Sequence, residues 1–215
     1  MEYRALEAAG VRAAATTLAI APAAALDPAR LVLPDGDTLD TDDWRRHQAR
    51  GDELTLLATL PAGGRRLVCG ELNLGLGPGG RGSIDRVYVA PLCRRLGLGT
   101  ALVRAALRYA RMTGLAALDE YIPNLYALAG GVWARYQPAG AELGGVRSLG
   151  ATARACAAER QVCRVARIAR AWHTEEGRVG AALELPLTAP PAPAHTGAAL
   201  LARLEATIRR MSAEC

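Results

Sequence analysis

The sequence predicts a mixed α/β fold of the α+β kind: a mainly antiparallel sheet flanked by helices, with a helical C-terminal extension. Three observations predict it. Apolar residues make up 51% of the 215 residues, enough to build a buried core. Three short β-favouring runs, at 53–60, 66–74 and 83–90, follow one another across Pro- and Gly-rich connections. From Gly99 onward the apolar period becomes that of a helix.

Taken in order, residues 1–43 give a helix-like start and then a turn-rich stretch through Pro34-Asp35-Gly36-Asp37. Thr41-Asp42-Asp43-Trp44 reads as a helix start with acids near the positive end of the dipole, and Gly51 as its stop, so a short helix is expected at 43–50. Pro61-Ala62-Gly63-Gly64 joins the first two β-runs as a hairpin. The third ends at Pro91, which has no N–H to give a ladder. In the helix that follows, Leu102, Val103, Ala106, Leu107 and Ala110 share one face, Arg104, Arg108 and Arg111 the other, and Gly114 is the cap. A further strand at 115–122 and a second helix at 124–136 come next. Beyond Ala139, helix-like stretches at 149–163 and 164–174 precede a strand at 179–187, and 186–193 is a proline-rich linker. Leu200, Leu204, Ile208 and Met211 then mark a final helix, able to pack on its own chain or on a second copy in a homodimer. The domain division expected is 1–145, then 146–215.

The formal charge is +5, the pI near 9.2, and all 26 basic residues are arginine. Fixed positive charge suits phosphate-bearing ligands. The arginines are scattered and not interleaved with aromatics, which argues against nucleic acid as a partner. Five cysteines without a C-x-x-C pair imply neither a disulfide framework nor a zinc site, and a reducing, cytoplasmic setting is the default. His47, His173 and His195 are far apart with no i, i+4 partner, so no metal is expected. Trp172-His173-Thr174-Glu175-Glu176 reads as a helix end, and Cys156 and Cys163 as core. The alanine-rich stretch 13–26 resembles a secretory apolar region, but Glu2 and Glu7 precede it and Pro22 interrupts it, so it reads as packed N-terminal structure. No apolar run reaches membrane-spanning length.

The chemistry concentrates in Ile84-Asp85-Arg86-Val87-Tyr88-Val89-Ala90-Pro91-Leu92-Cys93-Arg94-Arg95-Leu96-Gly97-Leu98-Gly99-Thr100. A strand, a tight loop and a helix N-terminus meet there, and such a junction presents unpaired N–H groups and the positive end of a helix dipole to a phosphate. Gly97 and Gly99 let a diphosphate approach the backbone. A glycine turn that merely starts a helix is the blander alternative. A Rossmann or Walker loop fits worse, lacking the third glycine of one and the Gly-Lys-Ser/Thr of the other.

The segment resembles motif A of the GNAT superfamily of N-acetyltransferases: Arg94-Arg95-Leu96-Gly97-Leu98-Gly99 matches Gln/Arg-x-x-Gly-x-Gly/Ala, and Val87-Tyr88-Val89-Ala90-Pro91 matches the strand ending Val-x-Pro. The resemblance is secure from about residue 42 to 114, and makes 1–145 an acetyl-CoA-binding domain. It implies a splayed sheet, whose fourth strand, here Val87, Tyr88 and Val89, pairs with the pantetheine arm. It further implies that the backbone from Arg94 and Arg95 through Gly97, Leu98, Gly99 and Thr100 holds the diphosphate of acetyl-CoA.

The implied reaction is attack of an amine on the thioester, with a base for the ammonium and an acid for the thiolate. Asp85 lies where the family's base often stands, and Glu71 is the second candidate; either is equally a solvated carboxylate. The family's acid is a tyrosine in a helix opened by Asn-x-x-Ala. Asn124 and Ala127 match that opening and place Asn124 beside the cofactor, but Trp133 stands at the tyrosine position and Tyr136 three residues later. Tyr136 is the acid candidate, with Tyr126 as an alternative. An amine on a small molecule or a protein is the expected acceptor, and a non-catalytic coenzyme-binding module or an arginine-rich nucleic-acid binder are the other readings.

Overall fold

The computed structural model describes residues 18–33, 46, 50–129, 132–135, 144–159, 167–173, 177–187 and 197–213. The architecture is mixed α/β, with mainly antiparallel strands flanked by helices. The chain divides into two compact units, Met1–Ala106 and Leu107–Cys215.

In the first unit the strands are β1 (Ala19–Pro22), β2 (Leu31–Val32), β3 (Glu53–Ala62), β4 (Arg65–Leu76) and β5 (Arg81–Val89). They lie in the order β1-β3-β4-β5 with antiparallel pairing throughout. The β3–β4 hairpin turns at Gly63 and Gly64, both at positive φ, which a residue with a Cβ resists. β5 leaves the edge of β4 at the Val89–Gly70 pair, and short β2 continues along that edge in parallel, Leu31 opposite Arg66 and Val32 opposite Leu67. Leu57, Leu60, Leu67, Leu72 and Leu74 are almost wholly buried, each worth roughly 2 kcal/mol of apolar transfer. The 3₁₀ turns at Ala23–Ala25 and Pro28–Arg30 seat Ala23, Leu26 and Leu31 on Leu57 and Val68. From residue 18 on, the expected packed N-terminal structure is a strand on β3. Of the short helix expected at 43–50, Arg46 and Arg50 are helical and the rest lies outside the described residues.

Helix α1 (Leu98–Met112) buries Leu102, Val103, Ala106, Leu107 and Ala110, the face its apolar period predicts. Gly114, at φ 80°, closes it: its N–H donates to Arg111 and that of Leu115 to Ala110, the paired bonds of a left-handed cap.

In the second unit β6 (Ala117–Ala129) pairs with β7 (Val132–Arg135) and β9 (Arg178–Pro186), and β9 with β8 (Arg167–His173), all antiparallel. Helices α2 (Gly144–Ala158) and α3 (Gly197–Ala213) pack together, α2 on β6 and α3 on β8. Leu200 and Leu204 are fully buried, so the C-terminal helix packs on its own chain.

Two expectations are overturned here. The helix expected at 124–136 is strand at its described residues, 124–129 and 132–135: β6 runs on to Ala129 and β7 pairs with it, Val132 opposite Ala129. Gly130-Gly131 disfavours a helix, while Pro123 coincides with the break in β6–β9 register between Ile122 and Tyr126. Residues 167–173 are likewise strand β8, not helix. Its alanines and arginines favour a helix locally, but pairing with β9 overrides them, and Gly180 leaves room for the Trp172 ring, which a Cβ there would meet at 2.6 Å. Trp172 therefore sits within a strand rather than at a helix end. Among the described residues no helix is long and apolar enough to cross a membrane.

Candidate functional site

After β5 the chain makes a 3₁₀ turn at Pro91–Cys93 and enters α1 at Leu98. Two residues between them take the left-handed conformation, Arg95 at φ 64° and Gly97 at φ 79°. Arg95 is the sole non-glycine with positive φ among the described residues, at a cost of roughly 1 kcal/mol. Gly97, left-handed beside the right-handed first residue of α1, turns successive N–H groups toward one side, the geometry of an anion-binding nest. A Cβ on Gly97 would meet nothing within 4 Å, so glycine serves the backbone angle there and the space in front stays open.

The helix adds its own donors. The N–H of Ala101 donates to the Gly97 carbonyl at 3.0 Å, so Leu98 and Gly99 precede the first helical bond and have no acceptor within the helix. The Arg94 N–H donates to the Pro91 carbonyl at 3.3 Å, and its Nε to the Val89 carbonyl at 2.9 Å. Arg94 thereby ties the loop to the end of β5, and the available cradle starts at Arg95. Leu96 and Leu98 anchor the loop from below on Leu60, Leu67, Cys69, Ala90 and Cys93.

Cys69 and Cys93 are both buried and hydrogen-bonded to each other. That bond, then burial, pushes the Cys69 thiol well above the ordinary thiol range, and the same bond draws Cys93 down. The pair fastens the 3₁₀ turn to β4 directly before the loop.

Beside the loop, β4 and β5 carry a polar strip. Glu71 lies opposite Tyr88 and Asn73 opposite Arg86. Glu71 is 2% exposed, and its Oε1 is 3.1 Å from Nε of Arg86, whose guanidinium also lies 5.5 Å from the centre of the Tyr88 ring. Among the described residues, the second oxygen of Glu71, Oε2, and Oδ1 of Asn73 are buried with no hydrogen bond to that atom. Asp85, the first base candidate, is exposed at a bulge between Asn73 and Leu74 of the partner strand, its Oδ2 over the flat backbone of Gly75. Val87, Tyr88 and Val89 are half-buried at the end of β5. The loop, Asp85 and Glu71 thus all lie in the first unit, with Asp85 against Gly75, four residues along β4 from Glu71. Asn124 lies in β6, and Tyr136 lies outside the described residues.

Gly70 and Arg86 went unnoticed in the sequence. A glycine opposite a Val-x-Val strand and an arginine two residues after a buried isoleucine carry no signal until the β4–β5 register, with its bulge, is known. Among the described residues no three His, Cys, Asp or Glu side chains are grouped to hold a metal ion.

Residues 25–129 match the family described as "Acetyltransferase (GNAT) family", a span that contains the loop and the polar strip. No curated protein matches the sequence. Among solved structures, similar chains include an IAA acetyltransferase from Bacillus cereus (19% identity, 79% of this chain and 99% of that one, TM-score 0.44). Another is a Bacillus subtilis acetyltransferase in complex with CoA (14%, 79% and 99%, TM-score 0.45). A third is the PaiA N-acetyltransferase of Thermoplasma acidophilum in complex with coenzyme A (14%, 68% and 68%, TM-score 0.40).

Proposed function

Residues 25–129 of this chain belong to the acetyltransferase (GNAT) family, and from that premise we propose that it is an N-acetyltransferase that passes the acetyl group of acetyl-CoA to an amine on a small molecule or a protein. The observation that carries the proposal is the left-handed pair Arg95 and Gly97 directly ahead of α1, with open space before Gly97. Amides of Arg95, Gly97, Leu98, Gly99 and Thr100 hold the diphosphate, and the backbone of Val87, Tyr88 and Val89 receives the pantetheine arm. Two phosphates meet backbone dipoles fixed before binding, so little ordering is lost on association.

The acceptor amine, once neutral, attacks the thioester carbonyl; the nitrogen gives up one proton to a base as the C–S bond breaks, and the departing CoA thiolate takes a proton from an acid. Positioning of the two reactants supplies much of the acceleration. Asp85, exposed on β5, is the proposed base. Glu71 is the second candidate, though Arg86 already holds one of its oxygens. Tyr136 is the proposed acid, and Asn124 the proposed polar contact from β6. The setting proposed is the cytoplasm, supported by the free thiols of Cys69, Cys93 and Cys156.

Calorimetric titration of acetyl-CoA into the wild type and Gly99→Trp tests the loop. Binding by the wild type and its loss in the variant are expected; equal binding would show that the loop is not the coenzyme site. Release of free CoA thiol across an amine panel then tests transfer. Tight binding with no thiol release from any amine would favour a coenzyme-binding module without catalysis.

A further inference from the structure

A cavity of about 470 Å³ opens in the first unit between the 3₁₀ turns of residues 23–30 and the β3–β4 hairpin. Half-buried Leu26 and Leu31 form its floor, exposed Ala25 and Pro61 add apolar lining, and Arg30, Arg65 and Arg66 line it against one acid, Asp27. Three arginines against one carboxylate leave a net charge of +2 on the lining. Among the described residues none of the three arginines is ion-paired.

The arginines are held in place by uncharged groups. A terminal nitrogen of Arg30 donates to the Gly64 carbonyl at 2.9 Å, and Nε of Arg66 donates to Oγ1 of Thr59 at 2.7 Å. Arg66 is thus pinned by its Nε, leaving both terminal nitrogens of its fork to a ligand. The Asp27 carboxylate is turned to its own backbone, accepting from the Ala29 N–H at 3.1 Å.

The cavity is separate from the candidate coenzyme loop. Its floor residues Leu26 and Leu31 pack on Leu57 and Val68, whereas Leu96 and Leu98 of the loop pack on Leu67 and Cys69. Val68 alternates with Leu67 and Cys69 along β4, so the two lie against opposite faces of that strand. A volume of this size is that of a small-molecule site.

We propose that this cavity binds a small amphipathic anion, an apolar body lying on Leu26, Leu31 and Pro61 with a carboxylate or phosphate-ester head between Arg30, Arg65 and Arg66. The apolar floor accounts for the body, and the arginine forks, which match a carboxylate or a phosphate two oxygens at a time, account for the head.

Titration calorimetry with octanoate, octyl phosphate, inorganic phosphate and octanol tests it on the full chain, in the wild type and in Arg65→Glu and Arg30→Glu/Arg65→Glu. Either or both octyl anions should bind one to one, with octanol and inorganic phosphate about tenfold weaker or worse. The single variant should lose about tenfold and the double variant more, while acetyl-CoA affinity and the melting temperature hold. Equal binding of octanol, or unchanged affinity in the double variant, would overturn the site. So would one-for-one displacement of the octyl anion by acetyl-CoA. Failure of acetyl-CoA to bind at all, with the octyl anion bound, would count against the coenzyme loop and not against this cavity.

Discussion

The carbonyl oxygen of Tyr88 lies 2.6 Å from the place a Cβ on Gly70 would occupy, and the Leu102 side chain of α1 lies 3.3 Å from the same point. Gly70 therefore sets how closely β5 and α1 approach β4. Gly70→Ala is expected to push the Tyr88–Val89 backbone outward, at roughly 1–3 kcal/mol of stability. If β5 carries the pantetheine arm, acetyl-CoA affinity should fall with it. A melting curve and a coenzyme titration check this together, and wild-type values for both would refute the close approach.

Glu120 in β6 is fully buried, and Oγ1 of Thr152 on α2 donates to its Oε2 at 2.6 Å. Burial raises its pKa from 4.5 to about 7, and the Thr152 bond opposes that rise. Below pH 4.5 the carboxyl is protonated folded or unfolded, and its contribution to stability is at its fullest. Between 4.5 and 7 the unfolded chain ionises first, so stability falls as pH rises, by roughly 3 kcal/mol, and then levels off. Glu120→Gln should flatten the melting temperature across that window and raise it at pH 8. An unchanged pH profile would rule out a protonated, buried Glu120.

The two base candidates separate by what else they do. Asp85→Asn should leave the melting temperature near that of wild type and lower turnover by roughly a hundredfold or more. Glu71→Leu leaves Arg86 free to turn into solvent, whereas Arg86→Leu takes the cation away from a buried carboxylate, so Arg86→Leu should be the more destabilising, by roughly 1–3 kcal/mol after allowance for the 59% exposure of the Arg86 side chain. Equal melting temperatures for Arg86→Leu and wild type would remove Glu71 from the list of residues that need Arg86.

Cys69 and Cys93 are buried, and the hydrogen bond between them keeps the Cys69 thiol protonated. Neither should react with a bulky aromatic disulfide reagent in the native state, whereas both should react at once in denaturant. Rapid native labelling of either, read by mass spectrometry, would show that the turn at Pro91–Cys93 opens readily.

Much of this was legible in the amino acids. Strands β3, β4 and β5 follow from β-favouring runs between Pro61-Ala62-Gly63-Gly64 and Pro91, and α1 from its apolar face and Gly114, because each signal is local. The course of β6 beyond Ile122 and the strand at Arg167–His173 were not, since alanine and arginine favour a helix and only distant pairing with β9 decides otherwise. At the site, the glycines announced the loop. The left-handed Arg95, the diagonal Glu71–Arg86 pair and the Gly70–Tyr88 approach depend on register, which no single segment encodes. Glu120 did carry a signal, a charged residue inside Leu118-Asp119-Glu120-Tyr121-Ile122, but not the identity of its Thr152 donor.

The short parallel β2 shares one edge of β4 with β5, and β1 covers the free edge of β3. Shortening the chain to begin after residue 33 would strip both covers at once and bare two rows of backbone donors and acceptors flanked by leucines. Such bare ribbons pair with one another in solution. The first strands therefore act as a guard against self-association, and a shortened protein should be recovered as aggregates even where its coenzyme loop is intact.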